Sequence, residues 1–336
     1  ADRKEINLVS IPRDSLVDVP QCETSKGTIP AQYNVMFNSI FAGAYKTGGD
    51  LSSAASCTLN AVNSLTGLNI QNFIVVDFAG LVKMIDSVGG VDLCIPQNVN
   101  DPYTGLNLDK GMHHLDGVAA TQYARIRHGI GDGSDTSRTT RQQYLIKQLL
   151  SEALSKNLFT DTAQLYQLAK SALKSLNISQ GMADTAALAG LAMSLKNFTM
   201  TNLQTQTVPV VPAPSDPNRS VWTDEADNLW EKMRAGKPIF DTADSNSGDS
   251  SDTSSDNSAS SDDSGTTDSN QSDTTAETPD PVTGLITKSD GTLVDPSTGG
   301  TVDPDDGSIH DATTGQYIGL ADRYLNATVC AVPAKN

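Results

Sequence analysis

The sequence predicts an α/β domain in which helices cover a central sheet, followed by an acidic segment that cannot build a core. Two observations carry this. Short β-prone runs alternate with stretches of helical period through the first half of the chain. The charge is also lopsided: residues 241–336 hold 18 of the 40 acidic residues against three bases, a net of −15, while residues 1–240 hold 22 acids and 20 bases, a net of −2. At 336 residues the chain has room for one large or two ordinary domains. A near-neutral body with local arginine clusters suits an anionic ligand held at one place, and it argues against nucleic acid, which needs a whole basic face.

Taken in order, Ile6 to Ile11 reads as a strand that ends at Pro12, so Arg13 and Asp14 fall on the loop past its end, where open α/β sheets place ligands. Residues 51–66 carry Leu51, Ala54, Ala55, Leu59, Val62 and Leu65 near the 3.6-residue period and stop at Gly67 in helix fashion. Phe73 to Asp77 reads as a buried strand, Phe78 to Val88 as a helix closed by Gly89 and Gly90, and Val91 to Ile95 as a strand. Tyr123 to Arg127 reads as a further strand, and a long helix follows from Arg138 to Lys156. Two more helices are expected over Thr162 to Leu176 and Ala183 to Leu195. A closing strand at 208–214 and a helix over Asp224 to Ala235 return to the body, because Trp222, Leu229, Trp230 and Met233 need burial, and the domain ends near Phe240.

Residues 241–280 hold ten Asp, one Glu and no base among Ser, Thr and Gly, the composition of a disordered linker. In the segment 281–336, Asp290 to Gly300 matches Asp306 to Gln316 at an offset of 16, and the Asp-Gly turns suggest small hairpins. The run from Asp303 to Gly307 fails as an EF-hand, since no Glu closes the loop. Cys22, Cys57, Cys94 and Cys330 are too widely spaced for zinc and read as two disulfides of open pairing, with Cys330 able to staple the far end onto the body. No run of about 18 apolar residues is present to span a membrane, and the N-terminus reads as the continuation of something longer.

The chemistry concentrates in residues 123–142. Read as a strand, Tyr123, Arg125 and Arg127 share one face, and two adjacent guanidiniums call for an anion between them. Asp135 or Ser137 then caps a helix whose first turn presents Arg138, Arg141 and Gln142 together, and a helix N-terminus itself attracts anions. The glycines at 129, 131 and 133 allow close backbone approach. This pattern is a pyrophosphate cradle. His113, His114 and His128 read as surface or incidental residues, and no Gly-x-Ser-x-Gly elbow supports a Ser-His-Asp triad.

Ser10 to Asp14, Gly48-Gly49, Asn72 to Gly80, Asp86 to Asp92, Gly111 with Leu115 to Gly117, Tyr123 to Arg127 and Asp135 to Gln143 stand in the order and spacing of the LytR-CpsA-Psr family, which the chain resembles from residue 1 to about 240. The resemblance implies an αβα three-layer domain with a central mixed sheet. It also implies a glycopolymer phosphotransferase acting outside the cytoplasmic membrane, at its extracellular face or in the cell wall. A polyprenyl-pyrophosphate-linked glycopolymer is the donor, a peptidoglycan hydroxyl the acceptor, and polyprenyl phosphate the leaving group; the lipid lies in a hydrophobic groove. Arg13, Arg125, Arg127 and Arg138 hold the pyrophosphate, with Arg141 and Gln142 in support. The base is a carboxylate, Asp135 first and Asp14 second, because arginine does not deprotonate. The family pattern begins earlier, with a membrane anchor, a further strand and aspartates that bind magnesium, so the magnesium ligands and the anchor are expected before residue 1. Two other readings stay open: a hydrolase of the same lipid pyrophosphate, and a surface glycan-binding protein without catalysis.

Overall fold

A computed structural model describes residues 5–126, 135–155, 176–183, 190, 193–194, 198–239, 278–313, 315 and 317–331. The fold is mixed α/β. Strand β1 (Ile6–Ser10) leads to β2 (Leu16–Val19), the β3–β4 hairpin (Cys22–Thr24, Gly27–Ile29) and β5 (Gln32–Met36), followed by helices α1 (Phe37–Gly48) and α2 (Leu51–Thr66). The next elements are β6 (Ile74–Val75), α3 (Phe78–Ser87), β7 (Val91–Ile95), the β8–β9 hairpin (Val99–Asp101, Leu106–Leu108), β10 (Gly111–Leu115), α4 (Gly117–Arg125) and α5 (Asp135–Ser155). The body closes with β11 (Asn177–Ile178), β12 (Leu203–Thr207), β13 (Val210–Ala213), β14 (Asp216–Trp222) and α6 (Asp224–Arg234). Both pairing senses occur: β1 lies parallel to β12, while β7–β10, β2–β5 and β13–β14 are antiparallel.

Local signals place most helices. Asp50 caps α2 by accepting from the Ser53 amide at 2.7 Å, and Gly67 ends it in the left-handed region at φ 66°. Asp77 caps α3 in the same way through the Gly80 amide, and Asp116 caps α4 through the Ala119 amide. The main core joins α3, β7, α4 and α5 through Ile85, Leu93, Ile95, Tyr123, Tyr144 and Leu145. Leu229 and Trp230 form the buried face of α6, and Trp222 and Met233 pack beside them.

Two expectations are corrected. Tyr123 to Arg125 belongs to α4 and not to a strand, because the cap at Asp116 starts a helix that runs on through Tyr123. On a helix, residues two apart face different ways: Tyr123 is buried, its hydroxyl pushed up to about 12 by burial, while Arg125 is exposed. Phe73 to Asp77 is not a buried strand either. It is a short edge ladder with β11, and Ile74, Val76 and Phe78 point outward. The helices expected over Thr162 to Leu176 and Ala183 to Leu195 fall mostly outside the described residues, as does the linker between residues 240 and 277.

Residues 281–320 form a five-stranded antiparallel meander, β15 to β19 (Ile286–Thr287, Leu293–Val294, Thr301–Val302, Ser308–His310, Tyr317–Leu320), with its own core of Leu285, Val302, Ile309 and Tyr324. Four of its turns share one design. Asp280–Gly284, Asp295–Gly299, Asp303–Gly307 and Asp311–Gly315 are each closed by the glycine amide donating to the aspartate carbonyl, at 2.7, 2.8, 2.9 and 2.8 Å, with the glycine at positive φ. The Asp side chains accept from amides two or three residues on, which is the Asx-turn geometry. The meander is fixed to the body by the Cys94–Cys330 disulfide, by Tyr144 donating to Asn326 at 2.6 Å and by the Lys147–Asp322 ion pair at 2.7 Å. The second disulfide, Cys22–Cys57, ties the β3–β4 hairpin to α2.

Replacing Cys94 and Cys330 together with serine should lower unfolding stability by about 2–4 kcal/mol, read by urea titration, since the bridge closes a very long loop. Non-reducing peptide mapping should recover only the two links above. Hydrogen bonds from the Thr283 and Thr292 amides hold the Asp280 and Asp290 carboxyls below the usual carboxylate range. Those turns are therefore fully supported above about pH 4 and loosen as the pH falls through the lowered values. Protection of the Thr283 and Thr292 amides against exchange, taken relative to the intrinsic rate at each pH, should fall only in that acid window.

Candidate anion-binding site

The loop Pro12–Ser15, past the end of β1, is held from two sides. The Asn38 amide at the start of α1 donates to the Arg13 carbonyl at 3.0 Å, and the Ser220 amide of β14 donates to the Asp14 carbonyl at 3.2 Å. Arg13 is 40 % exposed and its Nε pairs with Asp14 at 3.2 Å. Asp14 also receives Arg219 at 3.7 Å and the Asn38 amide group at 3.4 Å. Its carboxylate thus stands between two guanidiniums and orients them. Arg219 and Asn38 escaped the sequence reading, since nothing in local spacing joins β14 or α1 to this loop.

Arg125 ends α4, where a cation complements the carbonyl end of the helix. Its guanidinium lies 4.2 Å from the centroid of the Phe78 ring, a cation–π contact of about 0.5–1 kcal/mol at an exposed position. Phe78 is itself 56 % exposed and stands at the end of an outward apolar row with Ile74 and Val76. A charged fork and an uncovered apolar strip therefore meet at one point.

Helix α5 decides where the chain leaves α4. Arg141 is only 5 % exposed; it donates to the Ile126 carbonyl at 2.6 Å and to the Ser137 hydroxyl at 2.7 Å. Gln142 donates to the Ala124 carbonyl at 3.2 Å. Gln143, which the sequence reading gave no role, is buried and donates to the Ser10 hydroxyl at 2.8 Å and the Gln206 carbonyl at 3.2 Å. This stitches α5 to the end of β1, so the loop carrying Arg13 and the first turns of α5, with half-buried Arg138, lie at one end of the domain.

These contacts correct the expected roles. Arg141 does not face outward beside Arg138: its inward fork holds the backbone after Arg125. Gln142 likewise binds a backbone carbonyl. Ser137 lies inside α5 and accepts from Arg141 instead of capping the helix. Arg127, His128, residues 129–134 and the side chain of Asp135 lie outside the described residues. His113 and His114 serve the fold: His113 bonds the Asp109 carbonyl, and His114 bonds Asp92 and the Gly89 carbonyl. Among the described residues no three His, Cys, Asp or Glu side chains converge to hold a metal ion.

Residues 1–235 match the LytR_cpsA_psr family. The chain belongs to that family. It is 29 % identical over 216 residues to the cell wall biosynthesis protein LcpA of Corynebacterium glutamicum, covering 62 % of this chain and 41 % of that protein. It is 28 % identical over 238 residues to the polyisoprenyl-teichoic acid–peptidoglycan teichoic acid transferase TagV of Bacillus subtilis, covering 69 % and 54 %. The chain thus spans about half the length of the curated relatives it matches. The fold is that of the solved TagV of Bacillus subtilis, at a TM-score of 0.50 and 21 % identity over 67 % of this chain and 80 % of that one. It is also that of protein gbs0355 from Streptococcus agalactiae, at a TM-score of 0.53 and 18 % identity over 69 % and 75 %. The family match ends before the acidic segment and the meander.

Changing Arg141 to Ala should cost about 2–4 kcal/mol of stability, because it strips donors from a buried carbonyl and a buried hydroxyl. Arg125→Ala, by contrast, should stay within about 1 kcal/mol of the parent. Thermal unfolding of both variants separates the two roles.

Proposed function

We propose that this protein is a cell-envelope glycopolymer transferase that moves a glycopolymer from a polyprenyl-pyrophosphate carrier to a hydroxyl of peptidoglycan. The carrying observation is the meeting of Arg125 with Phe78 at the end of the exposed Ile74–Val76–Phe78 row. An uncovered apolar strip beside a guanidinium matches an amphiphile with an isoprenoid tail and a phosphate head. Family membership supports the reading, as do relatives named for cell wall biosynthesis and for teichoic acid transfer. The two disulfides suit an oxidising compartment outside the cytoplasmic membrane.

In this reaction the acceptor oxygen attacks the glycopolymer-bearing phosphorus. A new P–O bond forms, the bond to polyprenyl phosphate breaks, and the hydroxyl proton passes to a carboxylate. Arg13, Arg125 and Arg138 bind the pyrophosphate and spread the charge that grows on its oxygens, with Arg127 joining them from the segment after Ile126. Arginine keeps its proton throughout, so Asp135 or Asp14 takes the proton. Asp14 already lies between Arg13 and Arg219, which suits it better to orienting the cations than to accepting a proton, and this favours Asp135. Magnesium, which the family resemblance implies, would add charge neutralisation if bound; the described residues offer no cluster to hold it, and none of the steps above passes through it.

Arg125→Ala should reduce transfer from a polyprenyl-pyrophosphoryl glycan to peptidoglycan by about 100-fold or more while the unfolding temperature holds. Unchanged transfer in a folded R125A protein would remove the basis for this function. Release of free glycan phosphate at an equal rate without peptidoglycan would make the enzyme a hydrolase instead.

A further inference from the structure

The meander and the body leave a groove along their seam. One part, of about 290 Å³, lies between α5, β12 and the meander loops; the other, of about 590 Å³, continues past β13 and α6. Gln206, Thr207, Ser297, Thr298 and Ile318 line both, so the two parts form one trough. The disulfide, the Tyr144–Asn326 bond and the Lys147–Asp322 pair hold its walls in place, so it is formed before any ligand arrives.

The lining has a definite chemistry. Apolar surface, as at Tyr317, Ile318 and Leu229, alternates with the amides of Gln206 and Asn228 and with hydroxyls, and charges of both signs occur together as in Lys147 with Asp322. A purely apolar ligand would strip water from the Gln206 and Asn228 amides without offering them partners, and a polyanion would meet Asp295, Asp311 and Glu225. A polyhydroxylated chain with apolar C–H faces satisfies both kinds of surface. The trough also begins beside the anion site. Thr140 of α5 lines it between Arg138 and Arg141, and Gln143 lines it while bonding Ser10, three residues before Arg13.

We infer that this seam binds a stretch of glycan chain, as a subsite that aligns one sugar substrate with the arginine end of the domain. The inference rests on the transferase reading for its purpose and on the trough alone for its ligand. Donor and acceptor both carry such a chain, so the test uses a probe for each. The acceptor probe is a tetrasaccharide of alternating N-acetylglucosamine and N-acetylmuramic acid. The donor probe is a short-chain polyprenyl-pyrophosphoryl disaccharide.

With the full chain, Gln206→Trp fills both parts of the trough and should abolish binding of the matching probe in titration calorimetry, with the unfolding temperature unchanged. Gln206→Ala removes one amide and should weaken binding about 3- to 10-fold. In transfer assays both should raise KM and spare kcat, and the substrate whose KM rises identifies the occupant. Arg125→Ala should keep tetrasaccharide affinity while losing transfer. A folded Q206W protein with unchanged binding and KM, or a parent protein that binds neither probe, overturns the inference. If the parent binds the tetrasaccharide and Q206W does not, yet no transfer occurs, the subsite stands and the transferase reading fails.

Discussion

The bond from buried Arg141 to the Ile126 carbonyl sets the geometry on which the candidate site depends. A helix that ends leaves its last carbonyls without partners. Here α5 supplies donors to two carbonyls at the end of α4: Arg141 reaches Ile126 and Gln142 reaches Ala124. The chain is therefore fixed on both sides of Arg125, and Phe78 orders its guanidinium from the third. A buried arginine is costly unless its fork is used. Its use here is to convert a helix end into a rigid platform for an exposed cation.

The same helix serves the other half of the site and the C-terminal segment. Gln143 links it to the end of β1, whose following loop carries Arg13, and Tyr144 and Lys147 link it to the residues just after the meander. Successive positions of α5 thus face the α4 end, the β1 end and the meander. A change in how α5 packs would move all three, because its inward residues Arg141, Gln143 and Tyr144 are the ones that bond to those neighbours.

The aspartates of the meander explain part of the acidity that dominates the composition. In residues 280–311, Asp280, Asp290, Asp295, Asp303, Asp306 and Asp311 are turn formers that spend their carboxylates on nearby amides, and the turn glycines take the left-handed conformation that such turns need. The charge follows from turn chemistry. No cation has to be invoked for it.

The sequence by itself determined the α/β class, the ends of α2 and α3, the strands β1 and β7, the burial of Trp230 and Leu229, and the family, because these rest on local signals: terminal glycines, hydrophobic period and ordered motifs. It could also place Arg13 past a strand end. It could not tell which arginines face solvent. Two residues apart means one face on a strand and two faces on a helix, and the cap that made 117–125 a helix lay seven residues upstream of Tyr123. Arg138 and Arg141 looked alike on a helical projection, and only packing against Ile126 turned one inward. The disulfide pairing, the Arg219–Asp14 contact and the trough at the seam were decided by tertiary structure alone. Each joins groups far apart in the chain, and local chemistry carries no information about which distant partner will arrive.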